Sequence, residues 1–317
     1  MTGRGVDNVK LIAGVDEAGR GPLAGPVVAA AVILKENHAI DGLRDSKKLS
    51  EKRREELFRV ISENSISLGT GIIHEDEIDN TDILSATRKA MRIAIGKLNP
   101  QPDEALIDGY ALPDQIVKNR GIIGGDDKVP VISAASIIAK VTRDRMMRNY
   151  HDVFPEYNFA QHKGYGTREH LENLRKYLAC PIHRKSFNPV KKYLPTLSNL
   201  KKERMLGKWG ERLAARYLIH NGYEIVDMNF NAAPYGEIDI VAWNMGSTIF
   251  VEVKTASQTK LGDPESQVDE KKLEKLENVF EIYTSEHDQQ GEFRFDIITV
   301  LLGKGKPKIQ HFIDCLN

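Results

Sequence analysis

Asp16 and Glu17 stand side by side at the end of an apolar run, in the stretch GVDEAGRG at 14–21. Two neighbouring acids resist ionising together, and a divalent cation is the usual partner that makes both anions tolerable. Arg20 follows between Gly19 and Gly21, a cation for a phosphate on a backbone without Cβ atoms to hold a ligand away. Two more acids end apolar runs: Asp108 in IDG at 107–109, and Asp126 in GD at 125–126 after Ile122 and Ile123. One such acid is ordinarily a turn former. Several in one α/β unit coincide with the carboxyl ends of strands, where ligands gather in such sheets. Asp16, Glu17, Asp108 and Asp126 together could hold two divalent metals for in-line displacement at phosphorus. Lys47 and Lys48 suit phosphate contacts or a solvated loop alike, and Tyr165, flanked by glycines in KGYGT at 163–167, suits stacking on a sugar or base or filling a core.

A second constellation lies far downstream. In an alternating strand Glu252 and Lys254 of FVEVK, at 250–254, point to one face, which sets a carboxylate beside an ammonium. Asp239, from GEID at 236–239, could complete a metal site there. A cross-strand ion pair on a solvated face is the competing reading.

The elements that must carry these residues follow from periodicity and punctuation. Strands are predicted over 11–16, 27–34, 65–73 and 104–108, the first two as a hairpin-like pair. Helices are predicted from Ser50, as N-cap, to about 63, over 83–98, and from Ser133 onward with Arg143, Arg145 and Arg148 on its polar side. The glycines from 19 to 25 superficially suggest a dinucleotide-binding loop. The third comes one position late, and a strand follows where a helix must begin, so that reading fails. Beyond a linker at 196–202, a helix over 206–221 precedes strands at 223–229, 237–243 and 248–255, a charged helix over 265–285, and strands at 292–301 and 308–313, an α/β sandwich.

Length and composition agree. A chain of 317 residues with 41% apolar and 28% charged residues reads as two globular domains, bounded here as 1–195 and 203–317. Net charge is zero, yet from Lys140 to Pro195 there are 12 bases against 5 acids, a density that suits a polyanion or a solvated helix face. Cys180 and Cys315 form neither a disulfide framework nor a zinc ligand spacing, which fits a reducing cytoplasm. The longest apolar run, 27–34, has strand length, so no membrane partner is expected.

At 14–26 (GVDEAGRGPLAGP), 45–50 (DSKKLS), 107–109, 125–126, 133–144 (SAASIIAKVTRD), 163–167 and 183–189 (HRKSFNP), the chain resembles bacterial ribonuclease HII over about residues 10–190. The resemblance implies an RNase H-like fold, a mixed sheet with flanking helices and a C-terminal helical portion that grips the duplex. It implies a type 2 ribonuclease H that hydrolyses RNA in RNA/DNA hybrids and at single ribonucleotides embedded in duplex DNA. The products would carry 3′-hydroxyl and 5′-phosphate ends, and the cofactor would be Mg2+ or Mn2+. Asp16, Glu17, Asp108 and Asp126 then correspond to the metal-binding carboxylates, with Asp126 preferred over Asp127 for its spacing to Ile132 and Ser136. Gly19, Arg20 and Gly21 correspond to the loop that reads the ribose 2′-hydroxyl, the group that separates RNA from DNA. Tyr165 corresponds to the residue that stacks on the following deoxyribose, and Lys47 to a phosphate contact.

Gly210-Glu211, GEID, FVEVK and RFD at 294–296 resemble the YraN-like family of uncharacterised proteins, itself similar to nucleases with a PD-(D/E)XK core such as resolvases. That pattern implies metal ligands at Glu211, Asp239 and Glu252, with Lys254 orienting water or stabilising the transition state and Gln267 and Lys272 assisting. It makes branched or single-stranded DNA a candidate partner. A non-catalytic module that binds nucleic acid, or a partner platform without DNA affinity, is the alternative for this half.

Overall fold

The computed structural model describes residues 10–315 apart from 37, 39, 44, 45, 203, 258–269, 288–291 and 304, and the side chains of 47 and 270–277 also lie outside the description. Lys47, Gln267 and Lys272 are therefore not placed as side chains. The chain divides into two compact units, Met1–Arg145 and Met146–Asn317. The division falls inside a helix and concerns packing, not where one sequence family ends and another begins.

The first unit is built on a five-stranded sheet of order β3-β2-β1-β4-β5. β1 (Ile12–Ala18), β2 (Val27–Leu34) and β3 (Ser65–Ile73) run antiparallel in succession. β4 (Glu104–Asp108) lies parallel to β1, and β5 (Asn119–Ile122) parallel to β4. Ser50 caps α1 (Glu51–Asn64) through the Arg53 N–H, and Asp82 caps α3 (Ile83–Gly96) through the N–H groups of Leu84 and Ser85. Between them α2 spans Glu75–Asn80. α3 lies directly on β3, because a Cβ at Gly69 or Gly71 would sit 2.2 or 2.0 Å from the carbonyl oxygens of Ala94 and Ala90. The even positions of β2, Ala30 and Val32, pack instead with Leu57 and Ile61 of α1 and with Ala134, Ala135, Ile137 and Ile138. Those four belong to α5 (Pro130–Val153), which follows the short α4 (Gly125–Lys128). β2 alternates between two helical layers, which is why its inward positions read as one continuous apolar run.

The second unit begins with the end of α5, then α6 (Phe159–His162), α7 (Arg168–Tyr177) and α8 (Leu197–Lys202), so the expected linker is largely helical. α9 (Leu206–His220) introduces a sheet of order β10-β9-β8-β7-β6. Its strands are β6 (Glu224–Asn231), β7 (Glu237–Asn244), β8 (Ser247–Ala256), β9 (Glu292–Leu301) and β10 (Lys308–Phe312), antiparallel except for β8 with β9. α10 (Glu270–His287) buries Val279 and Tyr283 against Phe230, Phe250 and Phe295. α9 is joined to the preceding segment by a largely buried ion pair, Arg212 to Glu156 at 2.8 Å, with the guanidinium 5.4 Å from the Phe154 ring centre. The Ile225 N–H donates to Asn149 Oδ1 at 3.1 Å. Among the described residues no helix is long and apolar enough to cross a membrane.

Candidate active site

Asp16 lies near the end of β1, Asp108 ends β4, and Asp126 sits in the first turn after β5, so three strand ends on the parallel side of the sheet deliver one acid each. One carboxylate oxygen from each of the three lies within 4.8 Å of the others. Asp16 and Asp126 are buried and Asp108 is half-buried. Gly14 lets β1 touch the start of α5, since a Cβ there would sit 2.2 Å from the Val131 carbonyl. That contact brings Ser133 and Ser136 to the acids. Ser133 Oγ donates to the Asp126 carbonyl at 2.6 Å, and the Ser136 hydroxyl bonds both Asp16 and, at 2.9 Å, Ser46 Oγ. The Gly125 N–H donates to Asp108 Oδ1 and the Glu17 N–H to Asp16 Oδ1, both at 2.7 Å.

The donors to Asp16 do not offset the negative charge gathered around it. Burial pushes the Asp16 carboxyl well above the usual carboxylate range, the neighbouring Glu17 and Asp108 charges push further, and the bonds from Ser136 and Glu17 N–H offset only part. Burial also raises Glu17, against the pull of Arg20, whose Nη1 lies 3.3 Å from Glu17 Oε1. A cluster of anionic hard oxygens, costly to ionise alone, fits a hard divalent cation. Asp127 turns away to Lys48 at 2.8 Å, which leaves Asp126 as the acid of that pair inside the group.

The glycine-arginine loop is held from behind by a residue the sequence reading put on the wrong side. Arg143 is expected on the polar face of its helix, yet it is 1% exposed. Its Nε donates to the Pro26 carbonyl at 2.9 Å and its Nη2 to the Ala24 carbonyl at 3.1 Å. Gly19, at φ +101°, lies flat on it, and a Cβ there would be 2.2 Å from Arg143 Nε. The available signal was helical spacing: Ser133, Ser136 and Arg143 fall on one stripe of α5, the stripe that meets the sheet.

Tyr165 lies in the second unit, half exposed on the loop between α6 and α7. There too, Asp239 Oδ2 accepts from the Val253 N–H at 2.6 Å, and Lys254 Nζ is bonded to Glu252. Burial raises Glu211, with Asp239 and Glu237 adding, and it raises Asp239, with Glu252 adding. The three acids are electrostatic neighbours. Among the described residues, however, they do not bring one ligand oxygen each within 4.8 Å of one another. A cavity of about 480 Å3 opens beside Glu211, lined also by His151, Asp152, Lys208 and Asp227.

Comparison with known proteins places these two constellations in different families. The ribonuclease HII family matches residues 13–190, and an uncharacterised protein family, UPF0102, matches residues 210–300. Ribonuclease HII of Acetivibrio thermocellus is 58% identical over 178 residues, covering 56% of this chain and 70% of that protein. Ribonuclease HII of Idiomarina loihiensis is 52% identical over 187 residues, 59% of this chain and 100% of that protein. The ribonuclease H2 crystal structure from Pyrococcus horikoshii superposes with a TM-score of 0.48 at 26% identity, covering 57% of this chain and 96% of that one. With its family match spanning more than half the chain and including all four of the acids at 16, 17, 108 and 126, this protein belongs to the ribonuclease HII family and is a type 2 ribonuclease H.

Proposed function

We propose that the chain hydrolyses the RNA strand of RNA/DNA hybrids and nicks duplex DNA at embedded ribonucleotides. The carrying observation is the convergence of Asp16, Asp108 and Asp126 within 4.8 Å, two of them buried. These three, with Glu17 beside them, would hold Mg2+ or Mn2+. When bound, a pair of such ions would supply activation of water and neutralisation of charge at the leaving oxygen. The chain's own residues do the positioning. Ser136 and the Gly125 N–H fix where the Asp16 and Asp108 carboxylates point, and Ser133 ties down the Asp126 backbone, so little reorganisation remains when substrate arrives. Gly19, Arg20 and Gly21 present backbone and guanidinium to the ribose 2′-hydroxyl and its phosphate, and Arg143 holds that loop in place. Tyr165 stacks on the deoxyribose that follows, and Lys47 contacts phosphate.

The test is cleavage of a DNA duplex holding one ribonucleotide. Asp16→Asn and Asp126→Asn should abolish cleavage with Mg2+ or Mn2+ and leave duplex binding within about threefold, since each removes a ligand and not a phosphate contact. Full activity in either variant would overturn the carboxylate assignment.

For the second half we infer a nucleic-acid site at Glu211, Asp239, Glu252 and Lys254, acting as a nuclease on branched or single-stranded DNA. The mutual charge pressure among its acids supports this reading. The existing bonds of Asp239 to Val253 N–H and of Glu252 to Lys254 favour the alternative, a binding module that recruits the first site. Full-length Asp16→Asn, with and without Glu252→Ala, separates them on branched, flapped and single-stranded DNA with Mg2+ or Mn2+. Cleavage that Glu252→Ala removes supports catalysis. Salt-sensitive binding without cleavage supports the module.

A further inference from the structure

Beneath the Tyr165 loop lie three buried imidazoles, His162, His170 and His183, the last two fully out of solvent. Their hydrogen bonds define a single direction. The Cys180 backbone N–H can only donate, and it donates to His183 Nδ1 at 3.0 Å, with Cys180 Sγ 3.1 Å from the same nitrogen. Neutral His183 therefore carries its proton on Nε2, which lies 3.0 Å from His170 Nε2. His170 must accept there, so its own proton is on Nδ1, and Nδ1–H donates to the Tyr165 carbonyl at 2.9 Å.

The rest of the loop is tied to the same cluster. The Tyr165 carbonyl also accepts from the Thr167 N–H at 2.8 Å, and the Tyr165 N–H donates to the His162 carbonyl at 2.9 Å. Thr167 Oγ1 accepts from the His170 N–H, which caps α7 and fixes where the imidazole starts. The Gly164 N–H donates to His162 Nδ1, so that ring's Nε2–H serves the Tyr157 carbonyl, and the ring stacks on His170 at 4.5 Å. Lys163 and Gly164 turn the chain with φ of 52° and 85°. A half-exposed aromatic ring is thus mounted on a backbone whose donors and acceptor are assigned by tautomer.

We infer that His170 is a positioning residue for Tyr165: its Nδ1–H fixes the carbonyl of the residue that reads the ribonucleotide junction, and His183 fixes the tautomer that makes this donor available. Burial supports this, because it holds His170 down to about 4 and lowers His162 as well, which favours the neutral form of both rings. The inference rests on the assignment of Tyr165 to the sugar beside the scissile ribonucleotide.

Asparagine and glutamine divide the two functions of this ring. At position 170 an asparagine amide takes the place of Nδ1 and still donates to the Tyr165 carbonyl, whereas a glutamine carbonyl takes the place of Nε2 and serves only His183. The readout is the ratio of kcat/KM for a duplex with one ribonucleotide to that for an RNA/DNA hybrid, measured on the full chain. His170→Gln should lower this ratio about three- to tenfold, the loss of one hydrogen bond, and should add nothing to Tyr165→Ala in the double variant. His170→Asn should keep the ratio within about twofold, as should His183→Gln, whose amide N–H replaces Nε2–H. A merely structural role would lower both substrates alike and leave the ratio unmoved, which overturns the inference. An intact ratio in His170→Gln beside a collapsed one in Tyr165→Ala overturns it alone. An intact ratio in Tyr165→Ala overturns the junction assignment and the inference with it.

Discussion

Arg143→Met should loosen the glycine-arginine loop and cost the first unit about 2–4 kcal/mol. The guanidinium is 1% exposed and donates to two backbone carbonyls, at Pro26 and Ala24. Methionine nearly fills the space but donates nothing. Each buried carbonyl that loses its donor costs about 1–3 kcal/mol, so two cost about 2–6 kcal/mol. Relief from burying a cation offsets part of this and favours the lower half of that range. Both tryptophans, Trp209 and Trp243, lie in the second unit, so intrinsic fluorescence would not report the change. Amide exchange in peptides from β1 and β2 would. A loss of about 2 kcal/mol speeds globally limited exchange about thirtyfold. Junction cleavage should fall further than hybrid cleavage, because the displaced loop carries Arg20. Exchange within about twofold of wild type, with unchanged junction cleavage, would refute the role of Arg143 as the backing of that loop.

Asp127→Asn should leave cleavage within about threefold of wild type while Asp126→Asn abolishes it, because only Asp126 faces the acid group and Asp127 forms an exposed pair with Lys48, worth about 0–1 kcal/mol. Equal losses in steady-state rate would refute the distinction between them, and a larger loss in Asp127→Asn would reverse it. Acid should weaken the second unit through His170. Its pKa falls from 6.5 to about 4 on folding, so the stabilisation is complete above about pH 6.5 and is lost as pH falls toward 4, about 3 kcal/mol in all. Urea titrations across that window should show a shallower slope in His170→Asn, and identical slopes would count against a buried neutral ring. Gly210→Ala should destabilise the second sheet by about 1–3 kcal/mol or more, since a Cβ there would lie 1.7 Å from Thr255 Oγ1 and 2.7 Å from its Cβ. A fluorescence-detected melt unchanged by this substitution would mean that α9 shifts on β8 at no cost.

Much of the scaffold is legible in the sequence because periodicity and caps agree. β2, β3, β4 and β9 have the expected bounds, and Ser50 caps its helix as the pattern requires. α2, β5 and α7 are not legible. α2 and β5 are short, and α7 has just two buried residues, His170 and Leu174, neither of which marks an apolar stripe. The first acid cluster is readable since each acid closes or follows an apolar run in the sequence. What supports it is not: Arg143 looks like a surface residue until the fold supplies two carbonyls that no local pattern announces. The histidines at 162, 170 and 183 likewise meet only in three dimensions.

The ion pair of Arg212 with Glu156 crosses from one family's segment to the other's, since Glu156 falls within residues 13–190 and Arg212 within 210–300. A partly buried contact therefore bridges the two family segments in this chain. Truncation after residue 195 strands Glu156 in a partly buried place without its guanidinium, takes the cation from beside the Phe154 ring and takes the Ile225 donor from Asn149. A shortened enzyme that lost activity would say as much about cooperativity as about catalysis. Point substitutions in the intact chain are the cleaner instrument, and a calorimetric trace in which residues 146–317 melt as one transition would mark the fusion as a single folding unit rather than a tether.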